Sequence, residues 1–333
     1  MGDVTFPSQR DAKRYRPRVS TTRVPVIRRA GALALVVLGS ATALVACGGG
    51  GGGAAASAPC RAAPEKKTVQ YASYPGVTPN LNSLDLYLPA VSEPCGARPI
   101  VIWVHGGGWE GGDKAEFMEH KVPLFNGAGY VFASINYRLS DSTKPDHLIW
   151  PVHDDDTADA VAWLVHHAAE YGGDTRRIAI FGHSAGGGIV AAITTDSRYL
   201  GRSKLPLTSV KCAGSMDGEG YDVVAGATTS PPEWQPTYLN AFVTDPAKWE
   251  QASPIRYVAS GKGIPSYFIA ARGIDWRLQQ HLEFVSALQS AGVPTTVLDS
   301  RELEHADLTT AVGAPGDTVV TPALMNFLDG CFA

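Results

Sequence analysis

The chain has 333 residues, a formal net charge of −4 and 44% hydrophobic residues, enough for one large domain or two small ones. No basic stripe interleaved with aromatic residues occurs, which argues against nucleic acid as a partner.

The N-terminal stretch carries Arg10, Lys13, Arg14, Arg16, Arg18, Arg23, Arg28 and Arg29, then an apolar run from Ala30 to Ala46. The run closes with Leu44-Val45-Ala46-Cys47, the pattern of an export signal over 1–46 that ends in a lipobox, with Cys47 as the lipidated residue. The competing possibility is a single membrane-spanning anchor. Against it, the run is rich in Ala and Gly and stops at a cysteine followed by six glycines, whereas a spanning helix needs about 20 strongly apolar residues. Arg28-Arg29 also admits twin-arginine export. The expected location is outside the cytoplasm, lipid-anchored to a membrane and facing the periplasm or cell exterior. Gly48 to Pro59 contains only Gly, Ala, Ser and Pro and cannot build a core. Residues 47–66 are therefore expected as lipidated cysteine and flexible tether, and 67–333 as the folded domain.

Beyond Cys47, the four cysteines Cys60, Cys95, Cys212 and Cys331 form an even set. In an exported protein that suggests two disulfides, with buried free thiols as the alternative. The expected pairs are Cys60–Cys95, flanking the early strands, and Cys212–Cys331, stapling the C-terminus.

From Lys67 onward strand and helix patterns alternate, which predicts an α/β fold with a mostly parallel sheet. Val69 to Tyr71 and Leu84 to Leu88 read as early antiparallel edge strands. Ile100 to Val104 is a continuous apolar run, as in a central strand buried on both faces. His105-Gly106-Gly107-Gly108-Trp109 follows at once. Consecutive glycines let backbone N–H groups converge on one negative oxygen. His105 is expected to brace this loop rather than carry protons, and Trp109 to line the site or pack beneath the loop. Tyr130 to Tyr137 is the next strand. In the helix from His153 to Tyr171, Asp154, Asp155 and Asp156 are read as a solvated first turn complementing the helix dipole, rather than as a metal site.

The pattern G-x-S-x-G occurs as Gly182-His183-Ser184-Ala185-Gly186, after the apolar run Arg177 to Phe181 and before the small-residue segment Gly187 to Ile193. Strand, sharp turn and helix is the context of a nucleophile elbow, with Ser184 exposed at the turn. The N–H groups of Gly107, Gly108 and Ala185 then make a candidate oxyanion hole. Val210 to Met216 is a further strand. Asp217 to Lys262, interrupted by five prolines, is expected to be an irregular cap. Trp109, Tyr221, Trp234 and Trp249 are candidate pocket walls, with packing of the cap as the alternative for each. Pro265 to Ala271 is a strand that ends in Arg272-Gly273-Ile274-Asp275, so Asp275 lies where α/β folds collect catalytic groups. Leu278, Leu282, Val285 and Leu288 mark one face of the following helix. Asp245 and Asp299 are the competing acids. His305 falls in the loop after the last strand, Thr295 to Leu298.

His105 to Trp109, Asn136-Tyr137-Arg138-Leu139 and Gly182 to Gly187 occur in the order found in α/β-hydrolase esterases. From Thr68 to Leu328 the chain resembles the carboxylesterase branch that includes hormone-sensitive-lipase-like and bifunctional feruloyl and acetyl xylan esterases. Bacterial kynurenine formamidases have a similar His-Gly-Gly motif. The resemblance implies an α/β-hydrolase fold, a mostly parallel doubly wound sheet with a small cap, and the triad order Ser, Asp, His. Ser184, Asp275 and His305 fill that order, although the family's usual His-Gly pair before the acid is Ala271-Arg272 here. Feruloyl or acetylated carbohydrate esters are the substrates the resemblance suggests. The expected chemistry is hydrolysis of small-molecule, short-chain carboxylic esters through an acyl-enzyme, with no metal or organic cofactor. A formamidase or amidase, and a non-catalytic binding module of the same fold, are the alternatives. Oligomeric state and natural substrate are not legible in the sequence.

Overall fold

The computed structural model describes residues 60–92, 95–144, 147–273 and 276–333. The signal, Cys47, residues 48–59 of the tether and Asp275 lie outside them. Strands β1 (Glu65–Gln70), β2 (Ser83–Leu88), β3 (Arg98–Val104), β4 (Val131–Ile135), β5 (Gly173–His183), β6 (Cys212–Met216), β7 (Ser266–Ala271) and β8 (Thr295–Asp299) form one sheet, ordered β1-β2-β4-β3-β5-β6-β7-β8. β2 pairs antiparallel with both β1 and β4, and every other pairing is parallel. The helices are α1 (Lys121–Gly127), α2 (Val152–His167), α3 (Ala185–Thr195), α4 (Ser197–Gly201), α5 (Val223–Thr228), α6 (Gln235–Phe242), α7 (Pro246–Ala252), α8 (Trp276–Ser290), α9 (Asp307–Thr310) and α10 (Val320–Phe332).

Side chains alternate across a strand, and the central strands feed two cores. Ile100, Ile102 and Val104 of β3, with Ile178 and Ile180 of β5, join the core that includes α2, α3 and α8. Val101, Trp103, Ala179 and Phe181 join the opposite core, with α1 and α10. That double burial explains the unbroken apolar runs. After β3 the chain winds to β4 on one side; after β5 it winds to β6 on the other. The crevice at the strands' carboxyl ends, between β3 and β5, is the switch point where such sheets bind ligands. Both glycine motifs follow these two strands.

Both expected disulfides are formed, Cys60–Cys95 and Cys212–Cys331. Four expectations are corrected. Cys60 to Lys66 are not tether: Cys60 is bonded to Cys95, Arg61 bridges Val91, and β1 starts at Glu65. The segment after Asp217 is not irregular but holds α5, α6 and α7, with Asp222 and Asp245 capping α5 and α7 and prolines in the first turns of α6 and α7. Prolines there start helices rather than break them. Leu282 does not join the buried face of α8; it is exposed, and His281, Phe284, Val285 and Leu288 face inward. Finally, two of the three aspartates, Asp154 and Asp156, are not solvated. Asp156 is fully buried and accepts hydrogen bonds from Arg138 (2.7 and 2.8 Å) and Asn82 (2.9 Å). Asp154 is buried too; burial pushes its carboxyl up to about 8, against hydrogen bonds from Tyr199 and Trp150. Asp155 pairs with Arg202.

Candidate active site

β5 ends at His183 and α3 begins at Ala185, so the chain reverses at Ser184, with φ 54° and ψ −126°. Positive φ is strained for a residue with a side chain, and the surroundings hold it there. The Ser184 N–H donates to the Met216 carbonyl (3.1 Å), while the Ser184 carbonyl accepts from Gly187 (2.8 Å) and Glu219 (3.1 Å). The flanking glycines are steric necessities. A Cβ at Gly182 would collide with the Gly186 backbone, and one at Gly186 with the carbonyls of Val104 and His105.

The glycine loop lies directly opposite. Gly107 and Gly108 have φ of 107° and 59°, which glycine alone adopts without cost. Among the described residues, the N–H groups of Gly107, Gly108 and Ala185 donate no backbone hydrogen bond outside helices and strands. His105 braces the loop, as expected. Its Nδ1 sits 2.7 Å from the Gly106 carbonyl and its ring stacks on Tyr137 at 4.4 Å. Burial lowers its pKa to about 4, against the pull of the Gly106 carbonyl, so it is neutral at pH 7. The Asn136 and Tyr137 of the second motif support the same loop: Tyr137 Oη donates to the His105 carbonyl (3.1 Å), and Asn136 holds Asp113 (2.8 Å) and the Lys114 N–H (2.6 Å).

Ser184, His305, Gly106, Gly107 and Gly108 line one cavity of about 370 Å³, together with Trp103, Glu116, Phe117 and Trp234. His305 is a third exposed, on the turn before α9. Its backbone carbonyl lies 2.9 Å from His183 Nε2, and the two rings are 4.5 Å apart. Burial lowers His183 to about 4, helped by the charge of His305.

The carboxylate on His305 Nδ1 is that of Asp217, the residue after β6. The expected acid, Asp275, lies outside the described residues. Asp217 is fully buried with φ 47°, its N–H bonded to the Ala270 carbonyl at 3.0 Å. Arg272 donates to the same oxygen (2.7 Å), Arg277 approaches it at 3.7 Å, and His281 faces the other oxygen at 3.6 Å. Burial alone would raise this carboxyl; the His305 hydrogen bond and the Arg277 charge overcome it and hold the group well below the usual carboxylate range. In the sequence Asp217 reads as the first residue of the cap. The available signal was its place at the carboxyl end of the strand beside the nucleophile strand.

A family description, BD-FAE, matches residues 84–275, more than half of the chain. The chain belongs to the BD-FAE family. It is an α/β-hydrolase-fold carboxylic ester hydrolase. Esterase LipI of Mycobacterium tuberculosis is 26% identical over 272 residues, covering 74% of this chain and 81% of LipI. The same organism's probable carboxylic ester hydrolase LipM is 31% identical over 201 residues, covering 56% of this chain and 44% of LipM. Among solved structures, a truncated carbohydrate esterase from gut microbiota superposes with TM-score 0.64 at 22% identity, covering 80% of this chain and 96% of that one; at that identity the likeness speaks for the fold.

Of the four candidate wall residues, Trp234 lines the cavity, 39% exposed at its rim. Trp109 packs under the cap against Tyr238 and Phe242 (5.4 and 5.0 Å). Tyr221 is buried, stacked on Phe284 and bonded to Ser215 (2.7 Å). Trp249 ties the cap together by donating to the Val243 carbonyl (2.7 Å). These three are packing residues. Phe117, which no sequence signal marked, forms the opposite rim. Asp245 caps α7 and Asp299 pairs with Arg301, so neither competing acid is found on His305.

Proposed function

We propose that the protein hydrolyses short-chain carboxylic esters by a Ser184–His305–Asp217 triad. The observation that carries this is the shared cavity of Ser184, His305 and the glycine loop, with a buried carboxylate on His305 Nδ1. With Nδ1 committed to Asp217, Nε2 is the nitrogen left to take the Ser184 proton as Oγ attacks the carbonyl. Asp217 fixes the tautomer and stabilises the imidazolium without taking the proton. The N–H groups of Gly107, Gly108 and Ala185 receive the oxyanion, each such donor lowering the barrier by roughly 2.7–4 kcal/mol. His305 then protonates the departing alcohol, and water cleaves the acyl-enzyme by the same steps reversed.

Short acyl groups are supported by the cavity, whose volume of about 370 Å³ is near the low end of ligand pockets, ~300–1,000 Å³. Acetylated carbohydrate esters suit this reading, whereas feruloyl esters come from the family resemblance alone. The test is kcat/KM for p-nitrophenyl acetate, butyrate and palmitate beside N-formylkynurenine, with fluorophosphonate labelling of the wild type and Ser184→Ala. Acetate or butyrate should lead, and labelling should vanish in the variant. A palmitate preference, or a formamide preferred more than tenfold over every ester, overturns the substrate assignment; labelling that survives in Ser184→Ala overturns the triad.

Export as a Cys47-linked lipoprotein belongs to the same proposal. Two disulfides in a small α/β domain support an oxidising compartment. Cys47→Ser should release the protein from the membrane fraction or leave the signal uncleaved. Unchanged fractionation, with no acyl chain on wild-type Cys47 by mass spectrometry, would refute it.

A further inference from the structure

One charged side chain lies behind the cavity wall and takes no part in the proposed chemistry. Lys121, on α1, is fully buried. Its Nζ donates to the Phe117 carbonyl at 2.9 Å, to the Thr309 carbonyl, and to Thr309 Oγ1 at 3.1 Å. An ammonium has three N–H donors and no acceptor, so the three acceptors match it. Nζ also sits 4.6 Å from the centroid of the Trp103 ring, within cation–π range. All of these contacts go to residues that line the Ser184 cavity: Trp103 its wall, Phe117 its rim, Thr309 the wall next to His305. Thr309 is one turn beyond His305, its N–H bonded to Ala306 at 3.1 Å. Phe117 has a positive φ of 57°, a strained turn that the Lys121 bond helps to hold.

We propose that Lys121 is a positioning residue: its ammonium pins the Phe117 rim to the turn that carries His305, so the site is fully assembled only while that nitrogen keeps its proton. This rests on His305 being the base. Losing the proton removes the cation–π contact, leaves two N–H donors for three acceptors, and turns the remaining charge-assisted hydrogen bonds into neutral ones of about half the strength. Burial lowers the Lys121 pKa to about 7, with Glu119 pulling the other way. The field of Lys121 in turn reaches His183 on the elbow and lowers it. Glu119, on the approach to α1, and His183 are thus the titratable groups that face it; Trp103 and Thr309 supply no charge. Activity should accordingly fall on the alkaline side, where a triad alone would stay flat. Stability moves the opposite way. An unfolded lysine keeps its proton to about 10.4, so between about 7 and that value the unfolded state binds more protons and this group makes folding more favourable as pH rises. Titration of Lys121 therefore does not itself destabilise the fold, and urea midpoints at each pH separate unfolding from a loss of activity.

The experiment is kcat and KM for p-nitrophenyl butyrate from pH 5.5 to 9.5, with urea midpoints at each pH, for the wild type, Lys121→Arg and Lys121→Met. The wild type should lose at least ~threefold in kcat between pH 7 and 9, as charge-assisted bonds weaken. Lys121→Arg, charged throughout, should lack that alkaline limb. Lys121→Met should lack it too, with kcat lower at every pH by roughly tenfold to a hundredfold, the cost of a misplaced base, and KM little changed. If arginine does not fit the buried site, Lys121→Met carries the test alone. A wild type that stays flat to pH 9.5, or a folded variant that keeps the wild-type alkaline limb, overturns the role of Lys121. Failure of the triad reading looks different: Ser184→Ala or His305→Ala would then remain active.

Discussion

His305 Nδ1 donates its hydrogen bond to Asp217, the first residue beyond β6, which pairs directly with β5, the strand that ends just before Ser184. The imidazole therefore takes its orientation from the neighbour of the strand that presents Ser184. The same β6 end also receives the Ser184 N–H on the Met216 carbonyl. In the proposed triad, nucleophile and orienting acid are registered against each other through one strand pair.

Asp217→Asn should lower kcat by about 10⁴, the cost of the wrong tautomer in a triad, with the fold retained. Asp275→Asn, made in parallel, should keep kcat within about tenfold, as expected of a group that does not orient the base. Steady-state kinetics on both variants decide the assignment. A large loss in Asp275→Asn with Asp217→Asn nearly unaffected would return the role to Asp275.

Asp217 also predicts how stability responds to acid. Burial raises its pKa, but the His305 hydrogen bond and the Arg277 charge outweigh this and leave it well below normal. A depressed carboxylate contributes stability above its unfolded pKa of about 3.9, and that contribution is lost as pH falls through the folded value. Urea midpoints between pH 5 and 2 should fall more steeply in the wild type than in Asp217→Asn, which has no carboxyl there to protonate. Parallel curves would mean that the native state does not hold this carboxylate ionised.

Arg138 is the cation of the second sequence motif, and its partner Asp156 is fully buried. Removing one member of such a pair strands the other charge. Arg138→Met should therefore destabilise the protein by about 3–5 kcal/mol, and adding Asp156→Asn should recover part of that loss. Denaturant unfolding of the single and double variants checks it, and equal stability of the two would mean that Asp156 gains nothing from the pairing.

The sequence disclosed what depends on local steric rules. Strands buried on both faces need unbroken apolar runs, and the elbow and oxyanion loop need glycines at fixed positions. The central strands, the turn at Ser184 and the glycine loop were legible for these reasons; the cysteine pairs were legible from their even number, and the place of His305 from the loop after the last strand. Burial set by partners distant in the chain was not. Asp154 to Asp156 look like a solvated first turn until Arg138 and Asn82 close over Asp156. The cap's prolines look like breakers, yet they start helices. Trp109, Tyr221 and Trp249 carry the same aromatic signal as Trp234, and only the packing of α6, α7 and α8 separates wall from filler. Asp217 is hidden by its position on an element boundary: it reads as the first residue of a cap, yet it sits at the carboxyl end of β6.

The Cys212–Cys331 bond ties the start of β6 to the end of α10 across 119 residues. In the chain-entropy account, closing a loop of that size restricts the unfolded state, and native disulfides contribute about 2–5 kcal/mol. Replacing both cysteines by serine should lower stability by that order. Activity should respond differently. β6 is hydrogen-bonded along its length to β5 on one side and β7 on the other, so Asp217 at its far end stays in register without the bond. The double variant should keep kcat/KM for p-nitrophenyl butyrate within about twofold at 25 °C while its urea midpoint falls. Wild type treated with reductant should show the same pair of changes. A large loss of kcat at temperatures where the variant is fully folded would mean that the disulfide, rather than the strand pairing, holds Asp217 against His305.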